Sequence, residues 1–403
     1  MGFLTGPVIV KNKTERTEAF SLVLGGPLHQ LLLLRSRLIE PPLAHLGWRI
    51  GAITALAWLP LVALTIFDER FMSGVKLPFL YDFEVQARLL FALPLLVLAE
   101  VIVNVRISAI PEQFVERQII TYTLRPAFNA AISSAMRLRD SLAAEIGLLL
   151  IVVLAGFYVW REALALHSNT WSATLSSSSL NYTLAGRWYA FVSGPVFQFI
   201  LLRWYYRVFI WCRFLFQVSR LDLNRVASYP DRCCGFGFLG DVALAFAPLL
   251  MAHSGLVAGF FANRILHGGA TLLDYRFELV GVAFLLLLMV LGPLCIFIPK
   301  LNNARLRGLR TYGRLESHYA VAFAEKWSHG PISGREHLLG SAEIQSLSNL
   351  AKIFPVVKET KLVPFDKVTV LRFLVVIALP LAPLAFTMFL VEELVKRSIH
   401  VVL

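Results

Sequence analysis

Charge is what this chain has least of. Only 16% of its 403 residues are Asp, Glu, Lys or Arg, against 57% hydrophobic, and Phe alone takes 30 positions. A soluble domain carries roughly a quarter charged residues, so this one lacks the polar surface to face water all round and needs lipid to cover it. Cysteine is scarce too: Cys212, Cys233, Cys234 and Cys295 are the whole set. There is no C-x-x-C pair, and no histidine lies near the adjacent Cys233-Cys234, so no metal site is expected. All four fall in apolar runs or on the reducing side, which argues against disulfides. Also missing are G-x-S-x-G, H-E-x-x-H, a Walker sequence and a clean dinucleotide fingerprint. Gly235-Phe236-Gly237 follows no predicted strand and does not make a Rossmann turn. No catalytic residue and no cofactor can be named from such a sequence.

Long apolar runs are what the chain does have. Stretches of about 20 residues, enough to cross a hydrocarbon core of roughly 30 Å, fall at 49–67, 88–106, 144–161, 187–206, 241–262, 277–299 and 369–391. These predict an all-α polytopic membrane bundle of about seven transmembrane helices with peripheral amphipathic helices. The fourth run continues well past 20 residues. It must tilt, kink at Ser193-Gly194-Pro195, or follow the interface beyond Arg203, where Trp204, Tyr205 and Tyr206 form an aromatic belt.

Lys and Arg accumulate in cytoplasmic loops of membrane proteins. Segments 1–48, 106–143, 213–240 and 300–369 hold 25 of them, whereas 67–87, 161–186, 263–276 and 393–403 hold 7. The rule therefore puts the amino terminus inside and the carboxyl terminus outside, with the uncharged His167–Thr183 loop outside. It also accounts for the net charge of +12, which in a soluble chain would suggest nucleic acid. The expected partners are membrane lipid, and a second copy or another membrane protein; no nucleic acid is expected. A bacterial inner membrane is the expected location. The first apolar segment follows Lys11–Arg16 and has no small-residue cleavage site, so an uncut cytoplasmic amino terminus is expected.

The segments outside the spans read as helical. Within 1–48, Pro27–Pro42 is too short and too charged to span and suits a helix lying in the interface. Within the bundle of 49–299, segment 107–143 reads as cytoplasmic amphipathic helix broken at Pro111 and Pro126. Segment 300–369 is too small and too helical in period for a separate core. Leu301 to Phe323 continues the sixth span as an amphipathic helix, His329-Gly330-Pro331 ends it, and a short helix starts at Ser341. The piece 370–403 supplies the last span and a short tail.

Polar groups inside spans are costly and usually face a cavity or a partner. Glu100 and Asn104, four apart, share a face of the second span. Gln198 lies midway along the fourth, and His253 near the middle of the fifth beside Ser254 and Gly255. Converging, Glu100, Gln198 and His253 would line a path for a proton, an ion or a small solute; the plainer reading is hydrogen bonding between helices. His318, His329, Glu316 and Glu325 read as a solvated helix face.

A second candidate is the loop Pro230–Asp241. Asp231 follows Pro230 in a turn-forming pair, and Gly235, Gly237 and Gly240 allow close backbone approach just before the fifth span. Backbone N–H groups there could hold an anion such as phosphate or a lipid headgroup. The plainer reading is a tight loop packed on the bundle.

The pieces Ser228–Gly240 (SYPDRCCGFGFLG), Arg310–Trp327, Leu338–Leu350 (LLGSAEIQSLSNL) and Lys361–Phe365 resemble a family of bacterial multi-pass integral membrane proteins without an assigned activity. The likeness covers mainly the second half of the chain. In that family the first piece more often reads His-Pro-Asp and then Gly-Gly, where this chain has Tyr229 before Pro230 and Cys233-Cys234 before Gly235. The resemblance implies location and fold and lends no reaction. Two function classes follow from the residues: a channel or transporter for a small solute or ion, from the proline-broken spans and intramembrane polar groups, and a noncatalytic membrane scaffold or assembly factor. A membrane-embedded lipid-modifying enzyme is the third.

Overall fold

The computed structural model describes residues 20–23, 25, 46–163, 170–176, 179–328 and 342–385. The interfacial helix expected at Pro27–Pro42, the helix end at His329-Gly330-Pro331, the cap at Ser341 and the final residues of the seventh run lie outside them. The described chain is helical apart from one hairpin. Five helices are long and apolar enough to cross a membrane: Leu46–Phe67, Phe83–Glu116, Phe238–Gly268, Leu272–Ala322 and Lys367–Ala385. Two of the seven predicted runs are missing from this set. The third is a helix whose described apolar stretch, Leu142–Gly156, is short. The fourth carries Arg203, Arg207, Arg213 and Arg220 along one long helix.

In chain order the main helices are α1 (Leu46–Phe67), α2 (Phe83–Gln86), α3 (Leu93–Ser108), α4 (Ile110–Glu116), α5 (Arg125–Arg139) and α6 (Leu142–Ala163). Strands β1 (Ala173–Ser176) and β2 (Ser179–Tyr182) follow, then α7 (Leu184–Trp188), α8 (Gly194–Arg220), α9 (Phe238–Ala243), α10 (Ala247–Gly268), α11 (Arg276–Leu291), α12 (Ile298–Ser328), α13 (Ala342–Lys358) and α14 (Lys367–Ala378). The hairpin pairs Ala173 with Tyr182 and Ser176 with Ser179 in antiparallel register. It occupies the uncharged Ser/Thr/Asn-rich segment that the sequence marks only as a loop.

Proline decides where these helices change form, because it has no N–H to donate and its ring crowds the carbonyl four residues back. Before Pro94 the chain makes a π turn over Ala87–Ala92, with Leu93 N–H reaching five residues back to the Arg88 carbonyl. Before Pro195 it does the same over Tyr189–Ser193, with Gly194 N–H reaching Tyr189. Tighter 3₁₀ turns stand just before Pro248, around Pro293 and around Pro380. At the last of these the Ser254 hydroxyl donates to the Ile377 carbonyl, the usual remedy for a backbone oxygen left open in an apolar helix. Pro111 and Pro126, expected to break a helix, instead sit in the first turns of α4 and α5, where a missing N–H costs nothing.

Small residues set how closely α10 approaches the start of α2. A Cβ on Gly255 would lie 2.2 Å from the Phe91 ring, and one on Gly259 would lie 2.7 Å from the Phe83 carbonyl. Gly255 and Gly259 are one turn apart, the small-x-x-x-small spacing that brings membrane helices together.

The connecting segments gather at two ends. At one, Asp82 caps α2 through Val85 N–H at 3.3 Å and accepts from Trp171 Nε1 and Asn263 Nδ2, both at 2.9 Å. Asn263 Oδ1 in turn accepts from Phe83 N–H at 2.8 Å. At the other, Asn224 N–H donates to Ile119 O at 2.9 Å, Tyr229 Oη to Arg117 O at 3.1 Å, and Lys361 N–H to Arg232 O at 2.7 Å. The first end joins segments 67–82 and 170–183 to the end of α10; the second joins 117–124, 221–237 and 359–366. These are the groups that the Lys and Arg count assigns to opposite faces. Residues Phe20–Val23 belong to the second end; Phe20, Leu22 and Val23 are buried, with the Phe20 ring 4.7 Å from Phe214.

Candidate functional site

Glu100 is a largely buried carboxylate bridged to two arginines from other helices. Its Oε1 accepts from Arg207 Nη1 of α8 at 2.8 Å, and its Oε2 from Arg49 Nη2 of α1 at 3.0 Å. The Arg207 side chain is 4% exposed and Glu100 14%. Arg207 also lies 4.9 Å over the Trp204 ring, and Trp204 Nε1 donates to Leu96 O at 2.9 Å. Arg203 and Glu145 are within electrostatic reach, making three arginines and two carboxylates where α1, α3, α6 and α8 meet. Removing one member of so buried a pair is far more damaging than replacing both.

The other three predicted pathway residues do not join Glu100. Asn104 accepts the Ser21 hydroxyl at 2.6 Å. That anchors the strap Phe20–Val23, whose Ser21 carbonyl also accepts from Arg139 at 2.8 Å. His253 Nε2 bonds Tyr205 Oη at 2.7 Å, and its Nδ1 meets Leu249 O at 2.7 Å. Gln198 lies elsewhere, in the wall of a cavity, with a buried Oε1 that has no partner among the described residues. Among the described residues, no hydrogen bond or ion pair links Glu100, Gln198 and His253.

That cavity has a volume of about 790 Å³ and lies between α7–α8, the outer turns of α10, the start of α11 and the π turn before α3. Glu84, Arg88, Arg264 and Glu278 are its charged lining; Phe197, Leu201, Leu256 and Val282 are part of its apolar wall. Its charged residues all belong to the end held by Asp82. Along α8 its lining ends at Leu201; Trp204, three residues on, is fully buried, and Arg207 is bridged to Glu100. Arg88 ties two walls together through Tyr189 Oη and through Glu84 at 2.6 Å. No sequence motif announces this site. What could have revealed it is the pair of prolines that open π turns on both sides.

The glycine-rich loop is built around its own acid. Asp231 Oδ1 accepts from Cys233 N–H at 2.8 Å and Gly235 N–H at 3.1 Å, while Oδ2 accepts from Gly237 N–H at 3.0 Å. The backbone donors proposed to hold an anion are thus filled by a carboxylate of the same loop, and Arg117 stands 3.6 Å from it. Arg232, Cys234 and Gly235 have positive φ; at Gly235 φ is 92°. Gly237 is in ordinary helical conformation with φ −56°, so space, not φ, selects glycine there: a Cβ would stand 3.1 Å from Asp231 Oδ2. Gly240 is tighter, since its Cβ would lie 2.5 Å from Pro364 O and 3.0 Å from Phe365 Cα. The loop is a clasp between the entrance to the fifth apolar run and the entrance to the last.

Burial, with the Asp231 charge second, pushes the Cys233 thiol up to about 12. Burial and the same carboxylate push Cys234 up to about 11. Both stay protonated near neutrality, which makes them poor metal ligands and slow nucleophiles. Among the described residues no group of three or more His, Cys, Asp or Glu is arranged to hold a metal ion.

No protein-family model matches the chain, and neither the curated proteins nor the solved structures contain a match.

Two outcomes follow from this packing. Glu100→Leu should cost about 3–5 kcal/mol by stranding Arg207, whereas Glu100→Leu combined with Arg207→Met should recover most of it; unfolding in mixed micelles measures both, and strict additivity would show that the pair is not coupled. Gly240→Ala should lower stability by about 1–3 kcal/mol through overpacking and Gly237→Ala by less, read in the same assay. Equal behaviour of the two variants would contradict the clasp.

Proposed function

We propose that the chain is a multi-pass inner-membrane protein of seven spans, its amino terminus cytoplasmic, that carries a small solute with a largely apolar surface. Five helices suit the membrane by length and composition. The seven-span reading adds α6 and α8, and rests on two supports. One is the division of connecting segments between two ends, which requires an odd number of passes from α1 to α14. The other is the excess of Lys and Arg in the segments of one of those ends. The resemblance of Ser228–Gly240 and Lys361–Phe365 to a family of bacterial multi-pass proteins points the same way, and these two pieces touch each other through Gly240 and Pro364.

One observation carries the functional part: the cavity is large, mostly apolar and lined with charge only at the end held by Asp82. Sites for small molecules are commonly concave, apolar and fitted with a few polar groups. A channel would need a continuous path, whereas the cavity lining does not continue past Leu201 on α8, and Trp204 and Arg207 further along that helix are buried. A carrier needs a site accessible from one side at a time, which a cavity in one half of the bundle suits. The scaffold reading keeps an observation of its own, because α12 turns Leu306, Leu315, Tyr319 and Val321 outward beyond the last apolar turns. A partner protein held by that face would support it.

Reporter fusions should place Ser176 outside and Ser346 inside; both on one side would rule out the seven-span arrangement. For the cavity, the full chain in lipid nanodiscs should bind an environment-sensitive naphthalene dye with one site. Val282→Trp, which fills the cavity from its partly exposed wall, should weaken that site at least about tenfold. Unchanged dye binding in a folded Val282→Trp protein would remove the cavity from the function.

A further inference from the structure

We infer that the occupant of this cavity is a zwitterionic phospholipid, drawn from the membrane half in which the cavity opens. The inference rests on the cavity being the binding site. Its first support is charge. The four charged lining residues sum to zero, and two of them, Glu84 and Arg88, neutralise one another across 2.6 Å. Arg264 and Glu278 form no ion pair with any described residue. Arg264 lies 4.4 Å over the Phe260 ring, which holds the guanidinium in place without cancelling its charge. The Phe261 and Tyr275 rings, 4.6 Å apart, clamp the end of α10 to the entrance of α11 beside these two residues. The lining therefore offers one open cation and one open anion. A phosphate with an ammonium on the same headgroup answers both, whereas a simple anion or a simple cation leaves one repelled.

The apolar wall fits the rest of such a molecule. Along α7 and α8 the lining runs from Gly186 to Leu201, about 22 Å of helix, more than half of a hydrocarbon core of roughly 30 Å. Phe191, Phe277, Val280 and Phe284 next to the cavity are exposed, so the approach to it is itself greasy, as entry from lipid requires.

A volume of about 790 Å³ is in the range of sites that take one mid-sized ligand.

The test is native mass spectrometry of the full chain in nanodiscs, titrated with phosphatidylethanolamine, phosphatidylglycerol and the naphthalene dye as competitor. The expected order is phosphatidylethanolamine at least about tenfold tighter than phosphatidylglycerol, with displacement of the dye. Arg264→Glu should abolish that preference in a protein that unfolds at the same point as the parent. Equal binding of phosphatidylglycerol to the parent overturns the zwitterion. If the dye binds and no lipid displaces it, this inference fails and the cavity reading stands. If neither the dye nor any lipid binds, both fail.

Discussion

The carboxylate of Glu100 is the constraint on which the inner half of the bundle depends. It accepts from Arg49 on α1 and from Arg207 on α8 while sitting on α3, so three helices that are distant in sequence share one group. In a low-dielectric interior each charge is tolerable only while the other remains. Arg207 is held on its second side by the face of Trp204, a position that suits a weakly hydrated guanidinium. Removing water from this half thus leaves few alternatives to the observed arrangement. The strap Phe20–Val23 reinforces it from outside the spans, with Ser21 bonded to Asn104 one turn along α3 from Glu100 and Arg203 reaching the Gly25 carbonyl at 3.3 Å.

Much of the architecture is legible in the sequence because it depends on length and on net composition. Runs of apolar residues mark the helices whatever their partners, and the excess of Lys and Arg in alternate segments depends on no particular contact. The grouping of segments 67–82 and 170–183 against 117–124 and 221–237 follows from that count alone. The places where the reading falls short are those where composition says little. Residues Ala173–Tyr182 make a hairpin because Ala, Leu and Tyr alternate with small polar residues, a pattern too short to stand out. The α8 run contains enough arginine to fail any apolar criterion, yet those arginines serve the bundle: Arg207 is inside it, and Arg203 reaches the strap.

The polar residues show the limit more sharply. Glu100, Asn104, Gln198 and His253 can be picked out as exceptions in apolar runs, and the sequence tells that each needs a partner. It cannot tell whether they share one, because a helix position fixes a face and not the neighbour across from it. Three of the four are fully occupied by Arg49, Arg207, Ser21, Tyr205 and the Leu249 carbonyl. The glycines of the Asp231 loop were visible for the same reason, as residues that permit close approach. One approaching group, the Asp231 carboxylate, is local, but the other, the Pro364 backbone against Gly240, comes from a segment more than a hundred residues away.

The cavity ties these strands together, since nothing in its lining is an exception in the sequence except Gln198. It exists because two helices are unwound at matching depth. Pro94 and Pro195 cannot donate to the carbonyls four residues behind them, and in each case the residue before the proline bonds five back instead. A π turn widens the helix and turns its side chains relative to a regular ladder, which is why such turns recur at binding sites. Here the two π turns face each other and touch: Arg88 lies in the first, Tyr189 begins the second, and the guanidinium donates to the phenol oxygen. With Arg88 held by Tyr189 and Glu84, the wall on that side is fixed and electrically closed. Arg264 and Glu278, on helices without a π turn, remain the charges left open to a ligand. Two prolines about a hundred residues apart thus decide both where the bundle parts and which of its charges stay available.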